Sequence, residues 1–167
     1  LGEILRILNS QSKSRDPALL KYVLLVLTGF RSFEPATLEW IASQGAHRDP
    51  DVRRGVAHVL ARSSDAGSVP ALLQLLADTD LGTREWAAMA LAKRKGAAAV
   101  DQLLDAWARD QATEDSSLFR KSIVEALSYG DPDAIDALER IAREDRRWSV
   151  RRAAMRARRR VARSQAT

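Results

Sequence analysis

Apolar residues in this 167-residue chain fall three and four apart in segment after segment, the spacing that lines one face of an α-helix. The clearest case follows Asp49-Pro50-Asp51: Val52, Val56, Ala57, Val59 and Leu60, with Arg53 directly after the first of them. The same phrase returns at Thr83-Arg84 with Ala87, Ala88, Ala90 and Leu91. It returns again at Phe119-Arg120 with Ile123, Val124, Ala126 and Leu127, and at Val150-Arg151 with Ala153 and Ala154. The four arginines stand 31, 36 and 31 residues apart. A period in this range predicts stacked supersecondary units rather than one globular core. A second helical register lies between the phrases, at Val69, Val100 and Ile135, each followed three residues later by Leu72, Leu103 and Leu138. Each unit therefore reads as two helices, A then B.

The boundary residues agree with that parse. Asp16-Pro17, Asp49-Pro50 and Asp131-Pro132 each offer a capping carboxylate followed by a proline, which the first helical turn tolerates. Gly29, Gly45, Gly67, Gly96 and Gly130 stand just past periodic segments, where a left-handed cap residue is expected. The expected organisation is a single array over 1–167. It comprises a leading half-repeat (about 1–11), helix pairs over 16–45, 47–78, 80–110 and 115–145, and a final basic helix over about 147–163. The polar stretch from Arg109 to Ser117 accounts for the 36-residue step and is expected to be a looser connection. The chain begins at Leu1 inside a helical pattern, as a piece of a longer protein would.

Composition narrows the chemistry. Aromatic residues make up only 5%, and Ala, Leu and Arg dominate, a palette that favours helices over strands. There is no cysteine, which excludes disulfides, thiolate catalysis and zinc ribbons. The longest apolar stretch, Val23 to Leu27, is far too short to span a bilayer, and no signal peptide is visible, so a cytoplasmic location is expected. The net charge of +5 is unevenly spread. From Asp145 to Thr167 there are nine arginines and one acid, whereas the remainder holds 18 basic and 21 acidic residues. Electrostatic arguments about partners thus concern the last helix.

The Asp…Val-Arg…Ala…Leu pattern of Asp49, Val52, Arg53, Ala57 and Leu60, repeated at Asp80, Arg84, Ala88 and Leu91, resembles HEAT repeats, especially the short bacterial kind also called phycobilisome-lyase-like. Phe119-Arg120 and Val150-Arg151 keep the arginine but have Ser116 and Arg147 where the family has Asp, and the first unit has Leu20-Lys21 for Val-Arg. The resemblance implies an all-α, right-handed α-α superhelix (solenoid) of two-helix repeats. It also implies that the repeated arginines bond acidic or carbonyl groups between neighbouring units rather than bind ligand. Function is left open, since the family hosts many unrelated roles.

The leading expectation is a non-enzymatic scaffold for a protein partner. In this family the B helices line the concave surface, where Trp40, Gln74, Asp78, Gln102, Asp105, Arg109, Asp136, Arg140 and Glu144 would sit, with Trp40 either an exposed anchor or a cover for the leading half-repeat. The alternative is a nucleic-acid-binding accessory domain. Val150, Ala153, Ala154, Ala157 and Val161 form an apolar stripe that can dock the last helix, leaving Arg152, Arg156, Arg159, Arg160 and Arg163 to meet phosphate. The stripe has no Phe or Leu, which disfavours membrane insertion. Of the other tryptophans, Trp107 occupies the place of Leu76 and is expected in the core. Trp86 is expected beside Gly55 of the previous unit, and Trp148 packed on the fourth unit. No catalytic residue, metal or cofactor is expected. The only histidines, His47 and His58, lack the following Glu of the metal-binding HEAT-repeat hydroxylases, and no glycine-rich phosphate loop is present. The HEAT-like alkylpurine DNA glycosylases use tryptophans and an Asp in a basic groove. Here Trp107 and Asp110 belong to an acidic body with Trp107 inside it, so this enzymatic reading, like that of a bilin lyase, comes third.

Overall fold

The computed structural model describes residues 16–92, 100–113, 116–128 and 134–165. Among these, nine α-helices and no strand occur. The A helices are α1 (Pro17–Leu27), α3 (Pro50–Arg62), α5 (Leu81–Ala92), α7 (Ser117–Leu127) and α9 (Trp148–Gln165). The B helices are α2 (Pro35–Ser43), α4 (Val69–Leu75), α6 (Val100–Thr113) and α8 (Ala134–Glu144). Each A helix packs on the next, α1 on α3, α3 on α5, α5 on α7 and α7 on α9, so they form a continuous row. The architecture is an all-α solenoid.

The core runs along this row as one apolar seam. Val52, Val56, Ala57, Val59 and Leu60 of α3, Ala87, Ala88, Ala90 and Leu91 of α5, and Phe119, Ile123 and Leu127 of α7 are buried. From the B helices come Leu72, Leu75 and Leu76, then Leu103, Ala106 and Trp107, then Ala134, Leu138 and Ile141. Trp107 and Leu76 are both buried at the equivalent place, as the register requires. The last helix docks through Val150, Ala154, Ala157 and Val161 on α7 and α8, with Ala153 half-buried. Two apolar rows meeting along a helix pair supply most of the stability, since no unit could bury its stripe alone.

The N-terminal caps form as their residues dictate. Asp16 accepts from the Ala18 amide and Asp49 from the Asp51 amide, each ahead of a proline in the first turn. Ser116 caps α7 by accepting from the Phe119 amide. The C-terminal ends differ from expectation. Gly29, Gly45 and Gly67 do not take a left-handed conformation. Helix α1 instead ends on right-handed Thr28, and Gly45 and Gly67 lie in short 3₁₀ turns, Gln44–Ala46 and Ala66–Ser68. A Cβ on Gly67 would come 3.1 Å from the end of the Leu38 side chain of α2. The expected half-repeat at 1–11, the stop residues Gly96 and Gly130 and the Asp131-Pro132 cap lie outside the described residues.

Candidate functional site

Three of the four phrase arginines, Arg84, Arg120 and Arg151, reach the end of the preceding unit, as the repeat pattern implied, while Arg53 ties its helix to the end of its own unit. Arg53 grips Asp78 in a fork, Nε to Oδ2 at 2.6 Å and Nη2 to Oδ1 at 2.8 Å, while Nη1 donates to the carbonyls of His47 and Arg48. Arg84 Nη1 then donates to the carbonyls of Asp78 and Thr79. Asp78 is therefore a relay, with its carboxylate on the previous arginine and its carbonyl on the next. Asp145 repeats the device: its carboxylate faces Arg120 and its carbonyl accepts from Arg151. Burial alone would raise Asp78, but the Arg53 hydrogen bonds outweigh it and hold the carboxyl below its ordinary value. Asp78 thus leaves the expected exposed surface and joins the scaffold.

Arg120 is the extreme member of the ladder. Its side chain is 0% exposed, with Asp110 Oδ2 at 3.3 Å from Nε and Asp145 Oδ1 at 3.4 Å from Nη1. Trp107 Nε1 donates to the other oxygen of Asp145 at 2.6 Å, so the buried indole closes the network. These groups are enclosed by packed helices.

A second set of inter-unit links lies one residue further along each A helix. Arg54 donates to both oxygens of Asp80, at 3.2 and 2.8 Å. Asp80 also accepts from the amide and hydroxyl of Thr83. Burial would raise this carboxyl, yet the Arg54 and Thr83 hydrogen bonds bring it down to about 2. In the next unit Glu85 accepts from the Ser116 hydroxyl at 2.9 Å. In the last unit the equivalent residues are Lys121 and Arg147, two cations that cannot pair. At this interface the rung is missing.

What takes its place is a cleft of about 600 Å³ between α7 and α9. Lys121 and Glu125 line it from α7, and Trp148, Arg152, Arg156 and Arg160 from α9. Val124, Ala153 and Ala157 also line it and give it an apolar component. Arg160 bonds Glu125 at 3.1 Å and the Ser128 hydroxyl at 2.7 Å. Among the described residues, Lys121, Arg152 and Arg156 have no carboxylate within ion-pair distance. Arg152 stands 5.3 Å over the Trp148 ring.

The expected site residues divide between two surfaces. Gln74, Gln102, Asp105, Arg109, Asp136, Arg140 and Glu144 are exposed on the B helices. Arg140 pairs with Glu144 at 3.1 Å and lies 5.9 Å over Trp107, which brings α8 alongside α6. Arg109 lines a smaller cavity of about 180 Å³ with Asp78, Arg84 and Asp110. Arg152, Arg156, Arg159, Arg160 and Arg163 are all exposed on α9, but only Arg152, Arg156 and Arg160 line the cleft.

The tryptophans divide, and the expectation for Trp148 needs correction. Trp40 is half-buried and packs against the core on α2, next to the buried Ile41. The exposed ring is Trp148, at 63%. Trp148 lies two residues before Val150 and hence about 200° around the helix from the docked stripe. Trp86 stacks on His58, ring centroids 4.3 Å apart, and lines one cavity with Gly55 of the previous unit, while the nearest atoms to a Cβ on Gly55 belong to Leu24 of α1. Sequence reasoning did not single out Lys121, nor Trp148 as a surface residue. Comparing the residue after each phrase arginine (Arg54, Glu85, Lys121, Arg152) with its partner position in the next unit would have exposed the unpaired rung.

No group of three or more His, Asp or Glu side chains among the described residues could hold a metal ion. None of the described helices is long and apolar enough to cross a membrane. A family model for HEAT repeats matches residues 34–114, the span of α2 to α6. Over that span the chain is similar to HEAT repeats. No curated protein matches it.

Proposed function

We propose that this chain is a non-enzymatic scaffold that presents an extended helical surface to a protein partner. HEAT repeats generally serve as protein-interaction scaffolds, and this chain is similar to them over residues 34–114. The observation that carries the reading is the division of labour among charged residues. Those on the A-helix ladder are consumed in holding units together, while the B helices and α9 turn a separate set outward. The stacked array fixes the spacing of those outward groups, so a partner meets a preorganised surface and little ordering entropy opposes binding. The test is capture of a partner by the tagged protein, followed by reconstitution from purified components. A stoichiometric complex that survives nuclease treatment is the expected result. Failure to reconstitute any protein complex refutes the reading.

A second reading, binding of nucleic acid, is favoured by the exposed arginines Arg152, Arg156, Arg159 and Arg163 on one helix. Its mark is affinity that falls steeply with salt and in steps as arginines are removed. Nuclease sensitivity of the captured complex would favour it over the first.

A further inference from the structure

We propose that the cleft between α7 and α9 is a docking site for an acidic, amphipathic helical segment of a partner protein. The proposal rests on the scaffold reading and names where, and by what chemistry, a partner is held.

The first ground is the broken ladder. At the two preceding interfaces, the residue after the phrase arginine reaches a polar group at the start of the next A helix: Arg54 to Asp80, and Glu85 to Ser116. At the last interface the same two positions are Lys121 and Arg147. The structure supplies no carboxylate for Lys121 among the described residues, and a partner carboxylate would complete the rung.

The second ground is spacing. Arg152, Arg156 and Arg160 follow one another every four residues along α9, so they project from one flank about 6 Å apart. Carboxylates four apart on a second helix have the same pitch. A helix laid along the cleft can meet Arg152 and Arg156 together. Its apolar side would rest on Val124, Ala153 and Ala157. Trp148, 63% exposed with Arg152 over its ring, supplies an aromatic anchor at one end.

The third ground decides between carboxylates and phosphates. Glu125 stands inside the cleft and already pairs with Arg160, so a phosphate chain, charged at every unit, must set an anion against that carboxylate, whereas a helix can set a neutral residue there and keep its carboxylates for Arg152 and Arg156. The excess of positive charge is also local. Outside Asp145–Thr167 the chain carries more acids than bases, and a polyanion extending beyond the cleft would meet an acidic body. A short acidic helix uses the local charge and avoids the rest.

The test uses the full chain and fluorescence anisotropy with a labelled, helix-stabilised peptide bearing Glu every fourth position and Leu on the adjoining face. The comparison probes are its Glu-to-Gln form, a scrambled form of equal charge, and an oligothymidylate of equal net charge. Arg152→Gln/Arg156→Gln is expected to weaken the acidic peptide about tenfold, and Trp148→Ala about fivefold. Arg159→Gln/Arg163→Gln removes the same charge outside the cleft and is expected to change affinity less than about twofold. All these side chains are exposed, and circular dichroism checks that the variants keep their helix content. Equal losses from the two arginine pairs would overturn the proposal, as would scrambled-peptide binding equal to the ordered peptide. Tighter binding of the oligothymidylate than of the peptide would overturn it in favour of nucleic acid. If the peptide fails while a protein partner is still captured through the B helices, the cleft assignment falls and the scaffold reading stands.

Discussion

Replacing Arg120 by Met probes the ladder where it is most deeply buried. The guanidinium and both carboxylates are at most 1% exposed, with ion-pair distances of 3.3 and 3.4 Å. At an effective dielectric near 20, each contact at that range is worth about 5 kcal/mol of Coulomb attraction, much of it offset by the cost of dehydrating the ions. The net value of the intact network is therefore small. Removing the cation alone is different, because it leaves two buried carboxylates without their counter-charge. A loss of about 3–5 kcal/mol is expected, which for a chain of this length lowers Tm by roughly 6–20 °C. The damage should be local. Asp145 also holds Arg151 through its carbonyl and Trp107 through its carboxylate, so the α7–α9 end loosens first. Urea unfolding followed by circular dichroism gives the magnitude, and amide hydrogen exchange gives the place. Arg120→Met/Asp110→Asn/Asp145→Asn should recover at least half the loss, since it removes the stranded charges. A cost below about 1 kcal/mol for Arg120→Met, or a triple variant less stable than the single one, would refute the reasoning.

Trp107→Phe keeps a ring in the core but removes the indole donor to Asp145; a destabilisation of about 1–3 kcal/mol is expected in the same urea experiment. The inter-unit carboxylates predict the acid limit. Asp80 is held at about 2 against an ordinary 3.8, and Asp78 is lowered as well. A depressed folded-state value stabilises the fold above the unfolded value and is lost on acidification. Stability should therefore decline as pH falls from about 4 through 2. Arg54→Ala, which lets the Asp80 carboxyl rise towards its ordinary value, should cost stability at neutral pH and make the decline between about pH 4 and 2 shallower, read as Tm against pH.

The division between what was legible in the sequence and what was not follows the range of the interactions. Helix formation, capping and the apolar stripe are encoded within a few residues. Val52 to Leu60, the Asp16 and Asp49 caps, and the placement of Trp107 in the seam could accordingly be read from spacing alone. The inter-unit role of the arginines was also legible, because a repeat writes the same long-range contact several times. Helix ends were less so. Glycine is compatible with a left-handed cap, but the chain tightened into 3₁₀ turns, and at Gly67 a Cβ would press on the end of the Leu38 side chain.

The surface was decided by tertiary packing. Whether a tryptophan is covered depends on which neighbour lies opposite, so Trp40 folded onto the seam while Trp148 was left outside. The sequence by itself determined a stack of two-helix units, the residues that join them and the charge of the last helix. Only the structure placed Lys121 and Glu125 of α7 across from Arg152, Arg156 and Arg160 of α9. Those positions lie more than two dozen residues apart, and no local rule connects them. They meet because docking the Val150–Val161 stripe fixes the rotation of α9 and leaves that arginine flank facing its neighbour.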